Sequence, residues 1–276
     1  MSQLGTLHGE VWVFGGPYSN YQALKAFRCK VEKAGVPASH VIGTGDLVAY
    51  CGQPQECIDL VREWGVPVLM GNCEESLAND AEDCGCGFVE GSACSLLSVS
   101  WFNFSRNALD SGAIQWMAGL PRTLNFEFAG KQFLCLHGSL NRINEFVFAS
   151  TDSDLKLKQL DDTGVDCIIG GHCGLPFGQV LEGKAWLNAG TIGIPANDGG
   201  QYVWYMRLKE SSGTVSVSWH RLNYDVSAAQ AVMHAKGLPP DYRESLATGL
   251  WPSMDCLPET ERAQQGQTIS PETLSF

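Results

Sequence analysis

Four short apolar runs each end in glycine beside a metal-ligating side chain, and few folds can use that pattern. Residues 41–42 run into Gly43-Thr44-Gly45-Asp46, residues 66–70 into Gly71-Asn72, residues 133–136 into His137-Gly138, and residues 167–169 into Gly170-Gly171-His172. Such runs read as buried strands, and open α/β sheets bind ligands in the crevice beyond the carboxyl ends of their strands. Asp46, Asn72, His137 and His172 supply oxygen and nitrogen donors of borderline softness, suited to Mn, Fe or Zn. Gly170 and Gly171 allow close backbone approach to such a site, or simply a tight turn.

The segments between these tips predict helices. Asn20 can cap a helix carrying Tyr21, Leu24, Phe27 and Val31 at helical spacing. Pro54 suits a first helical turn, Cys57, Leu60, Val61 and Trp64 share one face, and Gly65 stops the run. With a strand at residues 11–14, the first 70 residues read β-α-β-α-β, a parallel sheet covered by helices. Hairpins are expected for residues 123–128 with 131–136 around Ala129-Gly130, 179–181 with 184–187, and 202–208 with 214–220. Further helices fit residues 109–119, 152–160 and 226–236. Parallel strands early and hairpins late imply two packed sheets in one domain over residues 1–236. Residues 1–10 read as a loose start, and 73–95 as a small, acidic, cysteine-rich excursion near the mouth of the site. Residues 237–276 read as an extension that wraps the surface or frays.

A net charge of −12 disfavours nucleic-acid partners. No basic-then-apolar leader and no uninterrupted run of 18 apolar residues is seen, so a cytoplasmic protein without a membrane span is expected. There, the 11 cysteines would mostly remain thiols, and their odd number opposes a complete disulfide framework. The oligomeric state is left open.

The four tips lie 26, 65 and 35 residues apart, in the contexts GD, GN, HG and GH. In that order and spacing the chain resembles the calcineurin-like metallophosphoesterases over residues 11–208. Residues 188–193 resemble the turn that follows the family's last histidine motif, and residues 20–27 resemble its first helix. The resemblance implies a four-layer α/β/β/α sandwich, two mixed sheets flanked by helices, with a two-metal site that hydrolyses phosphate esters. Asp46, Asn72, His137 and His172 match the complete ligand set of the second metal. The ligands private to the first metal are absent, with Gly16 and Tyr18 where the family has Asp and His, and Gly174 where it has the final His. Cys73 replaces the catalytic histidine, and Glu74 matches the acid that orients it.

One divalent transition metal is therefore expected, with a second only if thiols such as Cys84, Cys86 and Cys173 rebuild its site. Those cysteines could equally be redox-active or packing filler. Cys73 or Tyr18 would take the vacated catalytic roles, and Arg106 and Arg142 are candidates for holding a phosphate. The expected activity is hydrolysis of a small phosphate mono- or diester by metal-activated water. The alternatives are a catalytically impaired metal- or ligand-binding relative and a thiol-metal or redox protein.

Overall fold

The structure, a computed structural model, describes residues 2–211 and 213–276. In chain order the elements of the first half are β1 (Ser2–Leu7), β2 (Glu10–Phe14), α1 (Tyr21–Lys33), β3 (Val41–Gly43), α2 (Pro54–Trp64), α3 (Asn72–Ala78), α4 (Ala93–Ala108), α5 (Ser111–Ala118), β4 (Thr123–Phe128) and β5 (Lys131–Leu136). The second half adds α6 (Ser153–Thr163), β6 (Cys167–Gly170), β7 (Pro176–Leu181), β8 (Lys184–Ala189), β9 (Val203–Ser211), β10 (Thr214–Leu222), α7 (Val226–Ala235), α8 (Pro240–Thr248), α9 (Glu259–Arg262) and β11 (Leu274–Ser275). Two mixed sheets form, in the orders β1-β4-β5-β6-β8-β7 and β11-β10-β9-β2-β3.

The layers follow from strand alternation, which sends successive side chains to opposite faces. Val11 and Val13 of β2 face the other sheet and pack with Phe133, Cys135 and Ile169 in the interior of the sandwich. Trp12 and Phe14 point the other way, into a core shared with α1, α2, α4, α5 and α8. On the far side, Leu134, Ile168 and Trp186 pack with Leu160 of α6 and with Leu257. Helices, sheet, sheet and helix give the expected four layers. Among the described residues no helix is long and apolar enough to cross a membrane.

The local signals in α1 and α2 act as their chemistry requires. Asn20 caps α1 through its side-chain oxygen, which accepts from Ala23 N–H at 3.1 Å. Leu24, Phe27 and Val31 are wholly buried on the inner face, each worth roughly 1.5–3 kcal/mol of burial. Pro54 begins α2, and Gly65 ends it in the left-handed conformation.

Two expectations need correction. Residues 1–10 are not a loose start, because β1 pairs in parallel with β4 and extends that sheet. Residues 66–70 form no strand beyond a single parallel bridge between Gly43 and Val68. Pro67 lacks an N–H, so the ladder beside β3 cannot continue. Residues 237–276 pack against the rest of the chain. Leu246 of α8 and Leu257 are buried, and β11 pairs with β10. The helix α4, capped by Ser92, was not apparent within and beyond the excursion.

Asn20 also ties α1 to the turn after β8, its side-chain N–H donating to the Gly193 carbonyl at 2.8 Å. Asn20→Ser keeps a capping oxygen and loses that bond, whereas Asn20→Ala loses both. Urea denaturation should show a loss of about 2 kcal/mol for the alanine variant and about half that for the serine.

Candidate metal centre

The strand tips converge. Asp46 follows β3, Asn72 is the first residue of α3, His137 follows β5 and His172 follows β6. All four side chains are buried. His137 Nδ1 lies 2.6 Å from the Thr44 carbonyl oxygen, which can only accept, so Nδ1 carries a proton. Its Nε2 faces Asn72 Oδ1 at 3.0 Å and Asp46 Oδ2 at 3.2 Å. The orientation of the Asn72 amide is set by its N–H, which donates to the Cys84 carbonyl at 2.9 Å. Two oxygens and a nitrogen thus point at one another, an arrangement that calls for a cation between them, either a proton or a metal. Burial disfavours a charged His137, yet Asp46 outweighs it and raises the ring's pKa.

His172 completes the set. One donor atom each from Asp46, His137 and His172 lies within 4.8 Å of the others. Both His172 ring nitrogens are buried without a hydrogen-bond partner, a costly state for a polar group unless a ligand completes it. Burial, then the neighbouring His137, pushes its pKa down to about 3, so the ring is neutral and can offer a lone pair. Phe146 covers the ring, centroid to centroid 4.1 Å. These residues fit a borderline divalent metal, with Asp46, His137 and His172 as ligands and the Asn72 oxygen beside them.

Close approach is possible because glycine occupies the crossing points. A Cβ on Gly45 would stand 2.6 Å from the Gly71 nitrogen, and one on Gly71 would stand 2.3 Å from Asp46 Oδ1. Tyr18, Asp46, Tyr50 and His172 adopt positive φ of 50°, 54°, 36° and 58°. Glu74 holds this loop, accepting from the N–H groups of Leu47 (2.7 Å), Asp46 (2.8 Å) and Gly71 (2.9 Å). It is fully buried, and burial together with the charge of Asp46 raises its pKa to about 7. Glu74 does not line the cleft, and its hydrogen bonds go to the backbone of this loop.

The other expected residues divide. Tyr18 lines the cleft, and its ring lies where a Cβ on Gly16 would come within 2.4 Å. Burial, then Asp46, holds its phenol well above the ordinary range, so it stays protonated. Trp251 packs at the opposite departure from the family pattern, 3.2 Å from where a Cβ on Gly174 would be. Cys73 lies beneath the site, its N–H donating to Asp46 Oδ1 at 3.2 Å, but it does not line the cleft. Cys84 and Cys86 are joined to each other as a disulfide, which removes both as thiolate ligands. Cys173 lines the cleft as a thiol with its pKa pushed up to about 12 by burial, and it accepts from the Asn188 side chain at 3.2 Å. Among the described residues no cysteine joins the ligand group.

The structure brings neither arginine to the site. Arg142 is exposed and pairs with Glu145 at 3.1 Å, and Arg106 lies over the Phe102 ring and near Asp80. Instead the walls carry Tyr50, Phe88, Phe146, Tyr242 and Trp251, none of which stood out in the sequence. Tyr50 lies in the loop that begins at Asp46, the one local signal the sequence offers for these walls.

Residues 5–189 match the calcineurin-like phosphoesterase family, and the chain belongs to it. An uncharacterized protein of Methanocaldococcus jannaschii is 24% identical over 250 residues, 84% of this chain and 95% of that protein. A metallophosphoesterase from Sphaerobacter thermophilus superposes with a TM-score of 0.67 at 20% identity, over 88% of this chain and 100% of the other. A hypothetical protein from Pyrococcus horikoshii gives 0.74 at 15% identity, over 88% and 99%. At these identities the two structures speak for the fold alone.

Two outcomes are expected. Glu74→Ala strands four buried N–H groups, those of Asp46, Leu47, Val48 and Gly71, and should cost about 3 kcal/mol or more in urea denaturation, with Glu74→Gln costing less. Mn²⁺ or Zn²⁺ at a hundredfold excess over its Kd should stabilise the chain by about 2.7 kcal/mol. His172→Asn tolerates positive φ but withdraws the ring, and the metal-dependent rise in Tm should then be largely lost.

Proposed function

We propose that the chain is a metal-dependent phosphoesterase that hydrolyses a small phosphate mono- or diester using one divalent transition metal, Mn, Fe or Zn. The observation that carries this reading is the convergence of His137 Nε2, Asp46 Oδ2 and Asn72 Oδ1, with both His172 nitrogens unpartnered beside them. When bound, such a cation supplies Lewis acidity toward a phosphoryl oxygen and acidifies water. A one-metal rather than two-metal centre is favoured because the Tyr18 and Trp251 rings pack against Gly16 and Gly174, where the family's first-metal ligands would stand.

This chain's residues then have separate tasks. Asp46, His137 and His172 hold the cation, and the Thr44 carbonyl fixes the His137 tautomer that presents Nε2. Tyr18, neutral and at the cleft, can donate its O–H to a phosphoryl or leaving oxygen. In the overall change a water oxygen bonds to phosphorus, the ester P–O bond breaks, and the water's proton ends on the departing oxygen. No redox partner is needed.

A non-hydrolytic, ligand-binding relative is the competing reading, favoured because among the described residues no lysine or arginine lines the cleft. Elemental analysis and a turnover assay separate the two. About one Mn, Fe or Zn per chain and measurable hydrolysis across a panel of nitrophenyl mono- and diesters are expected. Asp46→Asn, with the fold retained by circular dichroism, should lower turnover by at least about 10²-fold. Unchanged activity in that variant overturns the mechanism, and a loaded protein without turnover favours the non-hydrolytic reading.

A further inference from the structure

We infer that Cys94 and Cys256 form a redox site, a pair of thiols that a hydroperoxide converts reversibly to a disulfide tying the C-terminal segment to the start of α4. The inference needs neither a bound cation nor the phosphoesterase reading.

The packing of the segment after α8 sets the two thiols face to face. Cys94 is the second residue of α4, and residues 253–256 dock on that helix end. There the Asp255 carboxylate accepts from Ala93 N–H at 2.8 Å and also from Cys94 N–H. Asp255 N–H donates to Ser253 Oγ at 3.2 Å, and Leu257 N–H donates to the Met254 carbonyl at 3.0 Å, so the docked residues form a closed turn. Leu257 is buried in the core beside Trp186 and Leu160, which anchors the turn from below. Cys256 thereby brings its S–H against the Cys94 sulfur. Both residues are free thiols.

The surroundings make the two sulfurs unequal. The Cys94 sulfur faces the Cys256 S–H, the Ser253 hydroxyl and the Cys256 backbone N–H. These bonds, that of the Cys256 thiol foremost, outweigh burial and the Asp255 charge and bring the pKa of Cys94 down to about 6. The positive end of the α4 dipole acts in the same direction. Cys256 keeps its proton, because its S–H is the donor and it too is largely shielded. Tyr242 stands nearby as a neutral phenol and adds no charge. Burial pushes the Cys73, Cys135 and Cys173 thiols up, away from reactivity. One ionised sulfur beside one protonated sulfur is the arrangement of an attacking and a resolving cysteine. Cys94 is 4% exposed, so an oxidant as small as hydrogen peroxide suits it better than a bulky disulfide. The Cys94 thiolate attacks one peroxide oxygen, the O–O bond breaks, and the departing hydroxide takes a proton from solvent, leaving a sulfenic acid and water. The Cys256 sulfur then attacks the Cys94 sulfur, the S–O bond breaks, and hydroxide leaves with the Cys256 proton as a second water. Two electrons pass from the sulfurs to the peroxide, and a dithiol reductant reverses the bond.

Treatment of the full chain with hydrogen peroxide, followed by mass-spectrometric mapping of cross-linked peptides without reduction, tests the inference. A Cys94–Cys256 cross-link should form and dithiothreitol should remove it. The oxidised chain should melt about 5 °C or more above the reduced one, because the bond closes a long loop. Cross-linking should run about tenfold more slowly at pH 5 than at pH 7, since the thiolate is lost as pH falls through the pKa of Cys94. Cys256→Ser keeps a hydrogen-bond donor but removes the resolving sulfur, so a sulfenic acid at Cys94 should accumulate and be trapped by dimedone. Wild-type chain that keeps both thiols under peroxide, or that joins Cys94 to a different cysteine, overturns the inference without recourse to any variant. Trapping no greater in Cys256→Ser than in the wild type overturns the assignment of Cys256 as the resolving thiol. A bond that forms without raising the Tm overturns its role as a tie between the C-terminal segment and α4.

Discussion

The site depends on one imidazole that joins the two sheets. His137 leaves the end of β5 in the six-stranded sheet, and its Nδ1–H donates to the Thr44 carbonyl beyond β3 in the five-stranded one. The His137 carbonyl in turn accepts from Gly171 N–H at 2.7 Å, which brings in the tip carrying His172. Three tips are thereby clipped together by backbone groups rather than by long side chains. Because the Nδ1 proton is committed to a carbonyl, Nε2 must point its lone pair, or a second proton, at Asp46 and Asn72. The donor set and the sandwich are therefore one construction.

Around that centre the walls are largely aromatic. The family pattern would place Asp, His and His on the other side of the cleft, and this chain has Gly16, Tyr18 and Gly174. Loss of three ligands from a buried site would leave a void, and voids in protein interiors cost packing energy. The Tyr18 ring lies over Gly16 and the Trp251 ring lies against Gly174, so the glycines and the rings are mutually required. Trp251 comes from the segment after α8, which makes the C-terminal region part of the site wall as well as of the core.

Legibility in the sequence followed the range of the interactions. The Asn20 cap, the Pro54 start, the Gly65 stop and the glycine-flanked tips are local devices, readable within a few residues. The third expected strand failed on a local fact in plain view, Pro67, whose missing N–H limits the pairing to one bridge. β1 is different. Its residues are largely exposed and weakly patterned, and it becomes a strand because β4 offers an edge more than a hundred residues away. Glu74 matches the family's acid that orients a histidine, and Cys73 stands in place of that histidine. Its task is to bind the backbone of residues 46, 47 and 71, and no spacing rule reveals an acceptor for N–H groups that only the folded loop brings together. Tyr242 and Trp251 were illegible for the same reason.

The strained backbone at the centre explains why so much surrounding structure is devoted to it. Positive φ at non-glycine residues costs on the order of 1–3 kcal/mol each when held in sparsely populated regions, and Tyr18, Asp46, Tyr50 and His172 all adopt it. Tyr18 N–H donates to the Asp46 carbonyl at 3.2 Å and Ser19 N–H to the Leu47 carbonyl at 3.0 Å, so two of the strained turns brace each other. Glu74 secures the second of them from below, and the Asn188 side chain holds the His172 turn by donating to the Gly171 carbonyl at 2.8 Å. Strain distributed in this way is set during folding, by bonds within the protein. The ligand atoms are then already aimed, and cation binding need not reorganise the backbone that carries them.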